Sequence, residues 1–383
     1  MLSDLMSTDT VSMSRKETPA IALALQGGGG LGAYHIGAYE ALAEEGLLPD
    51  WVCGISIGAF NAAVIAGNRP EHRVAKLVGL WDAISWPDAP LPAHAFQLRY
   101  WHNAASYANA LLFGQPDFFI PRSPFSSLAP SAPPEEVSFY DTAPMLATLR
   151  RFAEFPIHGK AAVRLSLGAT DIETGNIHYF DSTRDDIGPA HVLASGSLPP
   201  GFPATRVDGK LYWDGACVSN TPLDEIVDQS NHAHLVVFLI DLWDAAGKPP
   251  RNMNEVIWRT KQIEYASRTD YHLRSVATKV KLQQATQLLK ARNAPEAVAV
   301  PDDPVLRTRR LDIVHVIYHP GPDQIPESDV EFSRDSIAER RRAGYADLKG
   351  AIAKAPWLAE KSPAHLGALV HRVENGQVTT VSL

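Results

Sequence analysis

Two rhythms of apolar residues alternate from the start of the chain. Residues 20–25, Ala-Ile-Ala-Leu-Ala-Leu, form an unbroken apolar run that reads as a buried strand. Gln26 leads into Gly27-Gly28-Gly29-Gly30-Leu31-Gly32. Behind these glycines Tyr34, Ile36, Ala38, Tyr39, Leu42 and Ala43 recur at helical spacing until Gly46 stops the helix. A second strand–turn–helix unit covers 51–66: the apolar Trp51-Val52-Cys53, the turn Gly54-Ile55-Ser56-Ile57-Gly58, and the small, helix-compatible residues from Ala59 to Ala63. This alternation predicts an α/β fold, a three-layer α/β/α sandwich with a mostly parallel central sheet.

Further along, the pattern predicts strands at 163–170 and 177–180 around a turn at Asp171-Ile172-Glu173-Thr174-Gly175-Asn176. It also predicts a short helix near 187–196, a brief strand Lys210-Leu211-Tyr212-Trp213 and a buried strand at 234–239. Between 85 and 140 the rhythm is lost. Prolines are frequent, charges sparse, and aromatics cluster (Trp86, Phe96, Tyr100, Trp101, Tyr107, Phe113, Phe118, Phe119 and Phe125), as in a lid-like insertion with short helices. After Pro249-Pro250 a long helix is predicted at 253–292, then a Pro/Asp linker at 301–304, one strand at 311–318 and a charged helix near 334–353. The expected organisation is a flexible tail at 1–18, a catalytic domain at 19–250 carrying the 85–140 insertion, and a helical C-terminal extension with one strand at 251–383.

The composition of the 383 residues, 45% hydrophobic and 20% charged, is that of an ordinary globular protein. A formal net charge of -8 argues against a nucleic-acid partner. Two cysteines, Cys53 and Cys217, make no disulfide framework and suit a reducing cytoplasm; both read as small buried apolar residues. Residues 1–18 lack a signal-peptide apolar core, and no apolar run is long enough to span a bilayer. A membrane would be met only at its surface. The helix at 251–292 carries nine basic residues against Glu255, Glu264 and Asp270, either as a solvated face or as a peripheral contact with anionic bilayers.

A serine between two glycines, after a strand and before a helix, is the local grammar of a nucleophile elbow, with Ser56 at its apex. The Gly27–Gly30 loop at a helix N-terminus offers side-chain-free N–H groups for an oxyanion. The same loop also fits G-x-G-x-x-G at Gly27, Gly29 and Gly32. A dinucleotide site, however, requires an acid at the end of the second strand, and Asp50 precedes that strand. The base is less determined. Fourteen histidines include His191, His315 and His319 in plausible downstream places, while Asp214 stands at the end of an apolar strand in Trp213-Asp214-Gly215-Ala216.

Taken in order, the glycine loop, G-x-S-x-G and Asp214-Gly215-Ala216 resemble the patatin-like phospholipases. The likeness continues in Ala194-Ser195-Gly196-Ser197-Leu198-Pro199-Pro200-Gly201-Phe202-Pro203 and in Asn220-Thr221-Pro222, and covers about residues 19–225. The resemblance implies a Ser56–Asp214 dyad without histidine. It implies an oxyanion hole from Gly27, Gly28, Gly29 and Gly30, supported by Gly32, Gly54, Gly58 and Gly215, and neither cofactor nor metal. An aspartate of ordinary pKa, about 3.9, is a weak base towards a hydroxyl; it can serve if partial burial strengthens it, or if proton transfer becomes favourable only as the tetrahedral intermediate forms. Leu31 departs from the family pattern, in which Arg or Lys usually stands there. Without that cation a neutral acyl ester (lysolipid, acylglycerol or hydroxyalkanoate ester) becomes a better candidate than an anionic phospholipid. The alternatives left open are acyl transfer, a non-catalytic lipid- or acyl-binding protein on the same fold, and a dinucleotide-binding oxidoreductase.

Overall fold

The computed structural model describes residues 19–86, 96–123, 131–159, 161–232, 234–291, 310–321, 325–359 and 367–382. The tail at 1–18, Phe125 and the linker at 301–304 lie outside these residues. In chain order the elements are β1 (Ala20–Leu25), α1 (Tyr34–Glu44), β2 (Trp51–Ile55), α2 (Ile57–Ala66), α3 (Pro70–Ala83), α4 (Phe96–Phe113), β3 (Ile120–Pro121) and β4 (Tyr140–Asp141). They continue with α5 (Ala143–Phe152), β5 (Arg164–Asp171), β6 (Ile177–Asp181), α6 (Pro189–Ser195), β7 (Thr205–Val207), β8 (Lys210–Asp214), α7 (Leu223–Gln229) and β9 (His234–Asp241). The C-terminal part contains α8 (Met253–Ala291), β10 (Arg310–Ile317), α9 (Arg334–Ile352), β11 (Ala368–Glu374) and β12 (Gln377–Ser382).

One ten-stranded sheet runs in the order β12-β11-β10-β9-β1-β2-β5-β8-β7, with β6 paired to β5. From β11 to β5 every pairing is parallel. The central strands are therefore covered on both faces, which is why they read as continuous apolar runs. The first apolar layer gathers Leu23, Leu25, Val52, Leu165, Phe238 and Val314 with α1, α2 and α3. The second gathers Ala22, Ala24, Cys53, Val237 and Ile313 with α7 and α8.

A helical C-terminal region is present in α8 and α9, but the described residues after 250 carry three strands where the sequence suggested one. β10 pairs with β9 along its whole length, and β11 and β12 extend the same sheet outward. This segment therefore continues the central sheet. The strands β11 and β12 escaped the hydrophobic pattern because polar residues lie within the run. His371 is fully buried on β11, where its Nε2 meets Asp312 Oδ1 at 2.7 Å and its Nδ1 meets Thr380 Oγ1 at 2.8 Å.

Register places the candidate chemistry at one sheet edge. The C-terminal ends of β1 and β2 are neighbours, with Leu25 opposite Gly54. Ile55 stands opposite Gly168 on β5, and the next β5 residue, Ala169, stands opposite Asp214 on the antiparallel β8. Ser56 and Asp214 are thus delivered to the same edge by strands flanking β5.

Candidate active site

Ser56 adopts φ 55°, ψ −128°, a left-handed conformation that costs a non-glycine residue about 1–3 kcal/mol. Close packing holds it there. A Cβ on Gly58 would lie 2.2 Å from the Leu25 carbonyl, and one on Gly54 2.4 Å from the Gly58 carbonyl. The Ser56 N–H donates to both the carbonyl and the hydroxyl of Ser195, each at 3.1 Å, and Ser195 Oγ donates in turn to the Gly168 carbonyl at 2.6 Å. The Ala194-Ser195-Gly196 segment therefore braces the turn from below. Ser56 stays partly exposed at the N-terminus of α2, where the helix dipole favours negative charge.

Asp214 is fully buried. Burial is the largest influence on its carboxyl and raises its pKa to about 7, against the opposing pull of the Ser56 hydroxyl and the Ala216 N–H. Oδ1 accepts the Ala216 N–H at 2.8 Å, while Oδ2 lacks a fully formed hydrogen bond. The Ser56 hydroxyl thus acts on the carboxylate without completing a bond to Oδ2. The backbone of Asp214 is fixed by its N–H to the Ser197 carbonyl and by Thr170 Oγ1, which donates to its carbonyl at 2.8 Å. Gly215 lies against the Gly168 carbonyl, and Gly32 against Ile57.

The glycine loop is held from several sides. The Gly27 N–H donates to Asn220 Oδ1 at 3.0 Å, and its carbonyl accepts from Asn220 Nδ2 at 3.0 Å and Trp243 Nε1 at 2.9 Å. Gln26 Nε2 donates to Thr221 Oγ1 and to the Tyr265 carbonyl, and Asn61 Nδ2 donates to the Gly32 carbonyl. Two of the four predicted oxyanion donors are engaged within the protein: Gly27 with Asn220, and Gly30 with the Asp329 carbonyl at 2.7 Å. Among the described residues no protein acceptor takes the N–H of Gly28 or Gly29. The oxyanion candidate accordingly narrows to that pair, because tertiary hydrogen bonds claim the other two.

Ser56, Asp214 and Gly27–Gly29 all line one cavity of about 330 Å³. Its remaining walls are largely apolar, including Phe60, Leu111, Phe118, Phe119, Phe202 and Phe332. Phe118 sits at the centre of this aromatic wall, with its ring 5.8–5.9 Å from those of Phe60, Phe202 and Phe332. The described part of the 85–140 segment supplies α4, Phe118, Phe119 and Tyr140 of β4 to this cavity. A smaller polar recess of about 210 Å³ adjoins it, lined by Ala216, Cys217, Asn220, Glu264 and Tyr265 among others.

No described histidine lines the cavity. His191 Nδ1 accepts the Gly188 N–H, His315 pairs with Asp241 at 2.8 Å, and His319 with Asp244 at 3.1 Å. Asp50 accepts the Ile21 N–H at the opposite end of the strands from the glycine loop. Cys53 is buried as expected, whereas Cys217 is exposed, because it lies in the short turn after Asp214 and faces the recess. Leu31 is fully buried in the core. Trp243, Tyr265, Asp329, Val330 and Phe332 also line the cavity, and the sequence singled out none of them. Trp243 follows β9, Tyr265 lies on α8, and Asp329, Val330 and Phe332 lie on an irregular loop after β10, all far along the chain from the glycine loop. Among the described residues no group of three or more His, Cys, Asp or Glu side chains is placed to hold a metal ion.

A sheet edge that presents a strained serine, a buried carboxyl and loop N–H groups to an apolar cavity brings together the components that acyl transfer uses. The patatin-like phospholipase family model matches residues 23–227, more than half of the chain, and a second model, described as patatin phospholipase, matches 263–364. The chain belongs to the patatin-like phospholipase family, a family of lipid ester hydrolases. Similar curated proteins include the triacylglycerol lipase SDP1L of Arabidopsis thaliana, 36% identical over 67 residues (18% of this chain, 8% of that protein). Another is patatin-like phospholipase domain-containing protein 6 of Mus musculus, 44% identical over 61 residues (16% and 4%). A third is the triacylglycerol lipase ptl3 of Schizosaccharomyces pombe, 44% identical over 52 residues (14% and 11%). The matched stretches thus span only a small part of these relatives. Among solved structures, VipD from Legionella pneumophila is 14% identical, with 85% of this chain and 66% of that chain covered and a TM-score of 0.33.

Proposed function

We propose that the protein is a serine acyl hydrolase in which Ser56 and Asp214 form a catalytic dyad and the Gly28 and Gly29 N–H groups bind the oxyanion. The observation that carries this reading is the burial of Asp214. It raises the pKa to about 7, so the carboxylate matches the proton affinity required of a base at neutral pH. Ser56 Oγ attacks the ester carbonyl carbon and its proton passes to Asp214. The carbonyl oxygen, now anionic, accepts from the two loop N–H groups. Collapse breaks the C–O bond, and Asp214 returns the proton to the leaving alcohol. Water then repeats the sequence on the acyl-enzyme with Asp214 again as base, regenerating Ser56 and releasing the carboxylic acid.

The substrate we favour is a neutral ester with a single acyl chain of moderate length. The 330 Å³ cavity is largely apolar, and among the described residues its lining includes the acids Asp214 and Asp329 but no Lys or Arg. The polar recess beside the Asp214 loop suits the leaving alcohol, which takes its proton from that side. Among the described residues no helix is long and apolar enough to cross a membrane. We propose instead a peripheral lipid contact at the cavity mouth. Leu111 and Leu198 line the cavity and are also exposed, beside exposed Leu112, Phe113, Ile120 and Phe139. The basic helix α8 is less suited to that task. Lys261 pairs with Asp329, Lys279 with Asp228, and Arg259 caps carbonyls at 244 and 246. The free thiols suit a cytoplasmic setting.

The deciding experiment assays wild type, Ser56→Ala and Asp214→Asn on short acyl esters, lysolipids and phospholipids. Both variants are expected to lose hydrolysis. Activity that survives both substitutions ends the dyad reading, and failure of a fluorophosphonate to label Ser56 favours a binding protein.

A further inference from the structure

The loop at 325–333 lies outside the first family match and packs on the back of the glycine loop. We propose that it is a positioning strap for the oxyanion donors, held in place by Arg340 of α9. The contact is backbone to backbone. The Asp329 carbonyl accepts the Gly30 N–H at 2.7 Å. A Cβ on Gly29 would stand 2.0 Å from that same carbonyl oxygen, and one on Gly30 2.4 Å from the Glu331 carbonyl. Fixing the Gly30 N–H fixes the Gly29–Gly30 peptide plane, and with it the chain direction that sets the Gly29 N–H.

The strap has little regular structure of its own, so its shape comes from side chains. Arg340, 2% exposed, donates from Nη1 to the Glu331 carbonyl at 2.9 Å and from Nη2 to the Ser328 carbonyl at 3.1 Å. Its charge is met by the fully buried Glu331 carboxylate at 3.3 Å, whose other oxygen accepts the Ser333 N–H at 2.6 Å. Ser328 Oγ closes the turn with the N–H and the carbonyl of Ile325. On the other side Lys261 of α8 grips the Asp329 carboxylate at 2.6 Å. Asp329, Val330 and Phe332 then form part of the cavity wall. A planar guanidinium can reach both carbonyls at once; an ammonium on a flexible stem cannot. A buried ion pair adds little net stability on general grounds and is better suited to fixing geometry. Arg340 touches no reacting atom and is a positioning residue.

The proposal rests on the hydrolase reading, and its test uses two variants of the full chain. Arg340→Lys keeps the charge and loses the fork. The double variant Glu331→Met/Arg340→Met removes the pair without leaving a charge buried. Active sites are titrated to completion with a fluorophosphonate. Hydrolysis of a p-nitrophenyl ester and inhibition by a trifluoromethyl ketone, which mimics the tetrahedral adduct, are then measured per titrated site. Displacing the donors should lower kcat by about tenfold to a hundredfold in both variants with KM changed far less. Ketone affinity should fall in step with kcat. A kcat and ketone affinity unchanged per titrated site, or a fall in kcat without loss of ketone affinity, overturns the strap while leaving the hydrolase reading intact. A wild type inert towards every ester overturns both. If the double variant does not fold, Arg340→Lys decides alone.

Discussion

In the proposed dyad Asp214 has to be buried and basic at once, and these demands are linked. Removing water from its carboxyl disfavours the charged form, which makes the carboxylate a stronger base once formed; the Ser56 hydroxyl and the Ala216 N–H restrain the shift so that it stops near 7. The Tyr265 phenol is pushed up by burial, and the Cys217 thiol, exposed at the recess, is pushed up by partial desolvation of its sulfur and by the Asp214 charge; both stay neutral there. Hydrolysis at subsaturating ester should therefore rise with pH through about 7 and level off above it. A rate that is flat between pH 6 and pH 8 would remove Asp214 from the role of base. Linkage gives a second check. The folded-state pKa of about 7 lies above the unfolded value near 3.9, so between these values the folded chain holds a proton that the unfolded chain has released. The contribution of this group to stability is complete below pH 4 and is lost as pH rises to about 7. Asp214→Asn should lose activity by about 10²–10⁴-fold, and its melting temperature should fall less than that of wild type between pH 5 and pH 8.

At the scale of elements, the strand–turn–helix units of the first 70 residues were readable because each buries a continuous apolar run and breaks it with glycine. The same holds for α8, β10 and α9, whose periodicity survives in the sequence. What could not be read was where the later elements go. The apolar pattern of β11 is masked by His371, which is tolerated inside only because Asp312 and Thr380 satisfy both ring nitrogens. Ser56 and Asp214 stood out through their local motifs. The N–H groups of Gly27 and Gly30 looked free because their partners, Asn220 and Asp329, lie some 190 and 300 residues further along the chain. The end of α4 presents a different case: Leu112 and Phe113 are 65% and 64% exposed beside the cavity mouth, a burial that does not account for their apolar character. Burying each in a lipid surface contributes about 1.5–3 kcal/mol. Leu112→Asp/Phe113→Asp should weaken binding to neutral lipid vesicles at least about tenfold and lower the ratio of emulsified to soluble ester hydrolysis, with the melting temperature held. Unchanged vesicle binding would mean that this face is not the lipid contact.

Across the whole molecule, the first and last thirds of the chain depend on one another. Helices α1 and α9 cross so closely that a Cβ on Gly344 would stand 2.1 Å from the Tyr34 carbonyl, and one on Gly37 1.8 Å from the Arg341 carbonyl. Arg341 pairs bidentately with Glu40 across the same contact, and Tyr34 Oη donates to Asp347 at 2.7 Å. The obstacle at Gly344 is main chain, so a methyl group there cannot be accommodated by turning a side chain; the helices must separate. Arg340 lies one turn before Gly344 on α9, and Tyr34 begins α1 directly behind the glycine loop. Separation at this crossing therefore displaces both the loop and the strap that holds it. Gly344→Ala should cost about 1–3 kcal/mol of stability and, below its melting transition, should also slow fluorophosphonate labelling of Ser56. Gly188→Ala provides the control, since its Cβ would meet only His191 Nδ1 at 3.8 Å. If Gly344→Ala lowers the melting temperature but labels Ser56 at the wild-type rate, the crossing supports the fold without setting the geometry of the site. If it slows labelling as well, the distance between α1 and α9 is a determinant of how the oxyanion donors are aimed.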